Sequence, residues 1–177
     1  MQPSCDTPVY SKQQGFNLLE LLVVLGLMAI TLGVLVPSGQ ELVEKSRLIS
    51  ATNTTYTALL YTRNEATRLK NTTLFCFINS PADSECSDTF SGLLGTLSKK
   101  EGDELKLKLS HEITSQVNLT FKGVEAKKIE FESRGNRKNS DKAVYLEVST
   151  EKHKRQIEVC FNGRVLIRET LNKSECK

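Results

Sequence analysis

Histidine is scarce in this chain of 177 residues, which holds only His111 and His153. Neither stands near a serine or cysteine in a recognisable nucleophile motif. A glycine-rich phosphate loop, a His-Glu-x-x-His pair and a paired acidic motif are all missing. The common catalytic classes are thereby excluded, and we expect no enzyme, no cofactor and no small-molecule substrate. The five cysteines, Cys5, Cys76, Cys86, Cys160 and Cys176, form no Cys-x-x-Cys spacing, which argues against a zinc site. An excess of one charge is lacking too: the formal net charge of +3 and pI near 8.6 imply no particular partner. The distribution says more, since residues 120–177 carry fourteen Lys and Arg against nine Asp and Glu. No long-period internal repeat is present.

What the chain has in abundance is one apolar run. Residues 21–36 are interrupted by a single polar residue, Thr31, and counted from Phe16 the run is about long enough to span a bilayer. A cleaved secretory signal is disfavoured, because the run is too long and ends in "VPSGQE" without an Ala-x-Ala pattern. Lys12 and the amino terminus before the run favour a cytoplasmic N-terminus, which places the remainder outside the cytoplasm. Glu20 interrupts the apolar character, and an ionised carboxylate at mid-bilayer costs about 3 kcal/mol even on a lenient scale. Cys5 is no lipid-attachment site, because no apolar run precedes it. If the chain were cut after Gly15, Cys5 would leave with the leader. The four remaining cysteines then fall into two local pairs, Cys76 with Cys86 and Cys160 with Cys176, in an oxidising compartment.

Helical character persists beyond Pro37 to about Lys70. Leu42, Ile49, Tyr56 and Arg63 recur seven apart, with Leu59, Leu60 and Ala66 beside them. The intervening "SATNTTYT" is a poor helix former. Pro37 is expected to interrupt the helix, because it lacks the N–H that would bond the Gly33 carbonyl. From Asn71 onward short alternating runs replace the helical pattern. Strands are expected in "TLFCFIN", "ELKLKLS", "QVNLTF", "KIEFES", "AVYLEV", "RQIEVCF" and "RVLIR", seven in all, making two small antiparallel sheets or one curved one. Asn162-Gly163 between the last two is a signal for a two-residue hairpin.

The stretch "KQQGFNLLELLVVLGLMAITLGVLVPS" resembles the N-terminus of type IV pilins and of the pseudopilins of type II secretion. The resemblance implies a long helix on a β-rich head, an α+β fold. It implies that a prepilin peptidase cuts between Gly15 and Phe16 and methylates the new amine of Phe16. Glu20 then becomes half of an ion pair with the Phe16 amine of a neighbouring subunit, and Pro37 falls in the family's usual place. Residues 1–15 become the leader, 16–37 the transmembrane and filament-core helix, 38–70 its amphipathic continuation, and 71–177 the head. The implied location is the bacterial inner membrane, single-pass, with a periplasmic head that enters a filament with other pilins.

Three shorter segments narrow the resemblance to minor pilins and pseudopilins of the GspH/FimT family. They are Arg63, Glu65 and Ala66 before the first strand, the Phe131-x-x-x-Gly135 segment, and Gly163-Arg164 before the last strand. The implied function is filament assembly at or near the tip. An alternative role in some FimT-like members is DNA binding through a basic Gly-Arg-x-Arg motif. Here Leu166 replaces the second arginine, and the alternative would rest on Arg164 and Arg168, one strand face apart by roughly 13 Å, with Lys154 and Arg155. Glu147, Glu151, Glu158 and Glu169 interleave with these cations and favour a solvated rim.

Overall fold

The computed structural model describes residues 17–99, 104–114, 116–123, 127–138, 143–168 and 176, with the backbone alone for residues 33–38. Gly15, Phe16 and the side chain of Pro37 therefore lie outside the described residues. The chain divides into two compact units, residues 1–41 and 42–177.

One helix, α1 (Leu18–Leu69), contributes to both units. Asn17 caps its start: the side-chain Oδ1 accepts the Leu19 N–H at 3.3 Å and the main-chain carbonyl accepts the Glu20 N–H at 2.9 Å. Glu20 falls in the first turn, where the exposed N–H groups favour a negative charge. Pro37 sits inside the helix, which runs on through it. A proline deletes one i→i−4 bond, and the bonds on either side can carry the helix through. The end is a Schellman arrangement: Lys70 takes a left-handed φ of 52° and Asn71 N–H reaches back to the Ala66 carbonyl at 3.2 Å.

Within residues 42–177 the helix face that is buried differs from the expected stripe. Leu48, Ala51, Thr52, Thr55, Ala58, Leu59, Thr62 and Ala66 are buried, whereas Leu42 is 71% exposed. The expected series Ile49, Tyr56 and Arg63 lies one residue to the side, only partly buried. Three threonines hold the centre of the buried face because their hydroxyls are satisfied locally. Thr52, Thr55 and Thr62 donate to the carbonyls of Leu48, Ala51 and Ala58 at 2.7–2.8 Å, which removes most of the penalty of burying a hydroxyl.

Among the described residues the helix is followed by eight strands: β1 (Thr72–Ile78), β2 (Leu93–Lys99), β3 (Lys106–Glu112), β4 (Asn118–Lys122), β5 (Lys128–Phe131), β6 (Val144–Ser149), β7 (Lys154–Val159) and β8 (Val165–Arg168). They form two antiparallel four-stranded sheets, ordered β3-β2-β1-β5 and β4-β6-β7-β8. β2 has no counterpart in the sequence reading. Its "LLGTLSK" lacks alternation and carries a central Gly95, which weakens any strand signal. The glycine is required by packing, since a Cβ there would lie 2.6 Å from Ile78 Cγ2. One apolar core gathers the helix face, Phe75, Phe77, Leu94, Ile129 and Phe131 of the first sheet, and Leu119, Leu146, Val148, Ile157 and Val159 of the second. Phe121 stands across the junction, its ring centroid 4.6 Å from that of Phe77.

The hairpin joining β7 to β8 also departs from expectation. A two-residue type I′ turn needs positive φ at both central residues, but of Asn162 and Gly163 only Gly163 has it, at 76°. Gly163 N–H bonds the Cys160 carbonyl at 3.0 Å and Cys160 N–H the Arg164 carbonyl at 2.8 Å. Phe161 and Asn162 are thus the turn's centre, and Gly163 is the left-handed residue of a bulge that follows it.

Candidate assembly surface and head junction

Every described side chain from residue 17 to residue 32 is exposed, and the large apolar ones are 42–75% exposed. Leucine, valine, methionine and isoleucine point outward on all sides, so this stretch has no polar face to give to water. A helix that is apolar all round needs an apolar environment, either lipid or other helices. Beyond the capping Asn17 it has two polar residues, Thr31 and Glu20, and they are treated differently. The Thr31 hydroxyl donates to the carbonyls of Leu27 and Met28 at 3.1 and 2.9 Å and so presents little polarity outward. Glu20 has no ion-pair partner among the described residues. Among those residues no helix is long and apolar enough to cross a membrane, the described side chains of the run stopping at Leu32. Asn17 was missed as a cap, though Asn17-x-x-Glu20 has the spacing of a capping box.

The three short motif segments meet in the head. Arg63 Nε donates to the Gly135 carbonyl at 3.0 Å. Gly163 packs so closely on the same peptide that a Cβ on it would lie 1.8 Å from that oxygen and 2.8 Å from Arg63 Nε. Gly135, at φ 79°, would in turn press on Thr67 Cγ2 at 3.0 Å. The Arg137 N–H completes the link by donating to the Phe161 carbonyl at 2.9 Å. Helix end, first sheet and second sheet are joined here through backbone contacts that admit no side chain at either glycine. Arg137 is 7% exposed, and this burial lowers the pKa of its guanidinium. Elsewhere at the helix end Glu65, 5% exposed, accepts two hydrogen bonds from Arg68 at 2.8 and 2.6 Å, which hold its carboxyl below the ordinary carboxylate value. Ala66 is fully buried. The Glu65 carboxyl is taken up by Arg68 and the Gly135 carbonyl by Arg63. The work of the arrangement is to fix the head.

Disulfides join Cys76 to Cys86 and Cys160 to Cys176, with Cα separations of 5.6 and 5.2 Å. The first clamps the loop after β1 onto the first sheet, where Ser87 N–H also bonds the Phe77 carbonyl at 2.7 Å. The second ties the residue after β7 to the penultimate residue of the chain.

The four cations considered for DNA are not brought together. Arg168 is only 10% exposed, its Nε 2.6 Å from the fully buried Glu158 carboxylate, so its charge is committed within the head. Glu158 stands on the neighbouring strand and takes the guanidinium, which leaves the alternative DNA reading without an outward-facing Arg168. Arg164 is exposed but lies in the turn before β8 and not in the strand. Lys154 begins β7, six residues before the turn and so roughly 20 Å away, and pairs with Glu147 at 3.5 Å. Arg155 stands opposite Val148 and is half-buried. Glu147 also holds Lys122 at 2.7 Å, and these lysines lower its pKa, Lys122 most.

The fold of the chain is similar to that of solved filament proteins. The type IV minor pilin FimU of Pseudomonas aeruginosa matches with a TM-score of 0.56 at 13% identity, over 75% of this chain and 96% of that one. The minor pseudopilin EpsH of the type II secretion system of Vibrio cholerae matches with a TM-score of 0.52 at 12% identity, over 75% of this chain and 99% of that one. No protein-family model matches the chain, and no curated protein matches it. At these identities the likeness establishes the fold: a pilin-like α+β arrangement of one long helix and two antiparallel sheets.

Proposed function

We propose that the chain is a minor pilin or pseudopilin, a subunit that acts in assembly at or near the tip of a type IV pilus or type II secretion pseudopilus. The observation that carries the reading is the stretch of residues 18–32, apolar on every side and exposed, with one carboxylate at its start, in a chain of pilin-like fold. In this reading residues 16–37 reside in the inner membrane before assembly, with the head in the periplasm. Prepilin peptidase cleaves between Gly15 and Phe16, and the methylated amine of Phe16 is a cation that did not exist before the cut. Glu20 of one subunit meets that amine of its neighbour, and each charge offsets the other's desolvation. A subunit in the wrong axial register leaves both unpaired at a cost of several kcal/mol, so the pair selects register. The oxidising periplasm keeps both disulfides closed.

Glu20→Val tests this. The variant is expected to be cleaved and to accumulate in the membrane at native level, while its amount in sheared filaments falls below detection. Native amounts of the variant in filaments would sink the proposal.

A further inference from the structure

We infer that a trough on the outer face of the first sheet docks an extended acidic segment of a partner protein. The trough has a volume of about 720 Å³ and crosses the ends of β1, β2 and β5. It is within the range of sites that hold a ligand. Leu74, 5% exposed, and Leu105 line its floor. Lys70, Lys99, Lys128 and Lys138 stand around it with Glu130 and Glu132. Sheet register explains the grouping: Thr72 faces Lys99, Leu74 faces Glu130 and Cys76 faces Lys128. Lys70 is placed by the left-handed residue that closes α1. Glu130 draws in Lys128 at 3.1 Å and Lys138 at 3.9 Å, which leaves Lys70 and Lys99 exposed and without an ion pair among the described residues.

The chemistry of the trough selects among anions. A nucleic acid brings closely and evenly spaced phosphates, some of which would face Glu130 and Glu132. Nor does any aromatic ring or arginine among the described residues line the trough to stack a base. A small inorganic anion would find only solvated lysines. An extended peptide fits better: carboxylates placed opposite Lys70 and Lys99 complete those charges, and an apolar side chain between them covers Leu74 and Leu105. The inference stands apart from the filament reading, since none of these side chains lies in the apolar stretch.

The probe is a fluorescein-labelled peptide of about eight residues alternating glutamate and leucine, read by anisotropy against the full chain in a mild non-ionic detergent. We expect saturable binding that weakens with salt, is lost with the Glu→Gln peptide, and is at least about fivefold weaker with Lys70→Glu/Lys99→Glu. The milder Lys70→Gln/Lys99→Gln is expected to weaken it less, and Lys154→Glu, on the other sheet, to leave it unchanged. Absence of binding to the native chain at low salt, equal binding by the charge-reversed variant, or displacement of the peptide by duplex DNA at equal charge concentration would each overturn the inference.

Discussion

Two stretches of the same helix make opposite use of the same geometry. Residues 18–32 carry large branched and unbranched apolar side chains on every face and bury none of them within the subunit. Residues 48–66 bury alanines, threonines, Glu65 and only two leucines, Leu48 and Leu59. The more apolar stretch is the one without intramolecular partners. Hydrophobicity alone therefore does not tell which part of a helix holds a fold together; complementary small side chains and satisfied hydroxyls do. The outer stretch is left with its burial to complete, and that is what an assembling surface requires.

The sharpest break in this comparison comes from the head junction. Gly163→Ala combines a left-handed φ with a Cβ inside the radius of the Gly135 carbonyl, and neither backbone can move without shifting Arg63. A loss of about 4 kcal/mol or more is expected, seen as a fall in the urea midpoint of the head. Next comes a matched pair. Leu59→Ala, at a site with no exposure, is expected to cost about 3 kcal/mol, whereas Leu25→Ala, 53% exposed, should leave the midpoint within about 0.5 kcal/mol. Equal losses at the two sites would erase the distinction drawn between the stretches. Smaller still is Thr62→Val. With the Thr62 proton given to Ala58, Thr96 is the donor in the 2.7 Å contact between their hydroxyls, and the substitution strands it in the core. About 1–2 kcal/mol should be lost, with the double substitution Thr62→Val/Thr96→Val recovering part of it.

The same contrast explains what could be read beforehand. The α+β class and seven of the eight described strands were legible from short apolar or alternating runs between turn residues, alternating in β4 and β5 and apolar almost throughout in β1. β2 was not, because its signal was diluted by Gly95, whose reason is the side chain of Ile78, distant in sequence. The helical stripe was displaced by one residue because threonine reads as polar, while a back-bonded threonine packs as an apolar side chain. At the candidate site, the three motif segments were visible singly, but their meeting through Arg63, Gly135 and Gly163 is a tertiary fact. For the basic residues near the C-terminus the sequence favours cations interleaved with acids over one patch, and Lys154 does pair with Glu147 and Arg168 with Glu158; what it does not give is that strand geometry separates Lys154 from Arg164 and turns Arg168 inward.

The smallest expected effect sets one carboxylate of the helix against the other. Glu20 has no partner within the subunit among the described residues, whereas Glu65 is held by two bonds from Arg68. Those bonds, more than burial opposes, lower the Glu65 pKa from its ordinary 4.5. A carboxyl whose pKa is lowered on folding adds stability that is full above its unfolded value and disappears as pH falls through its folded value. Arg68 is 67% exposed, so solvent and salt reduce the gain, and it should shrink further at high ionic strength. Glu65→Gln is therefore expected to be slightly less stable than the native chain at about pH 7, with the gap closing below about pH 4.5. Glu44 and Glu147, also lowered on folding, titrate in both proteins, so the difference between the two curves isolates Glu65. A gap that stays constant down to about pH 3 would mean that the pair holds the helix end by shape alone.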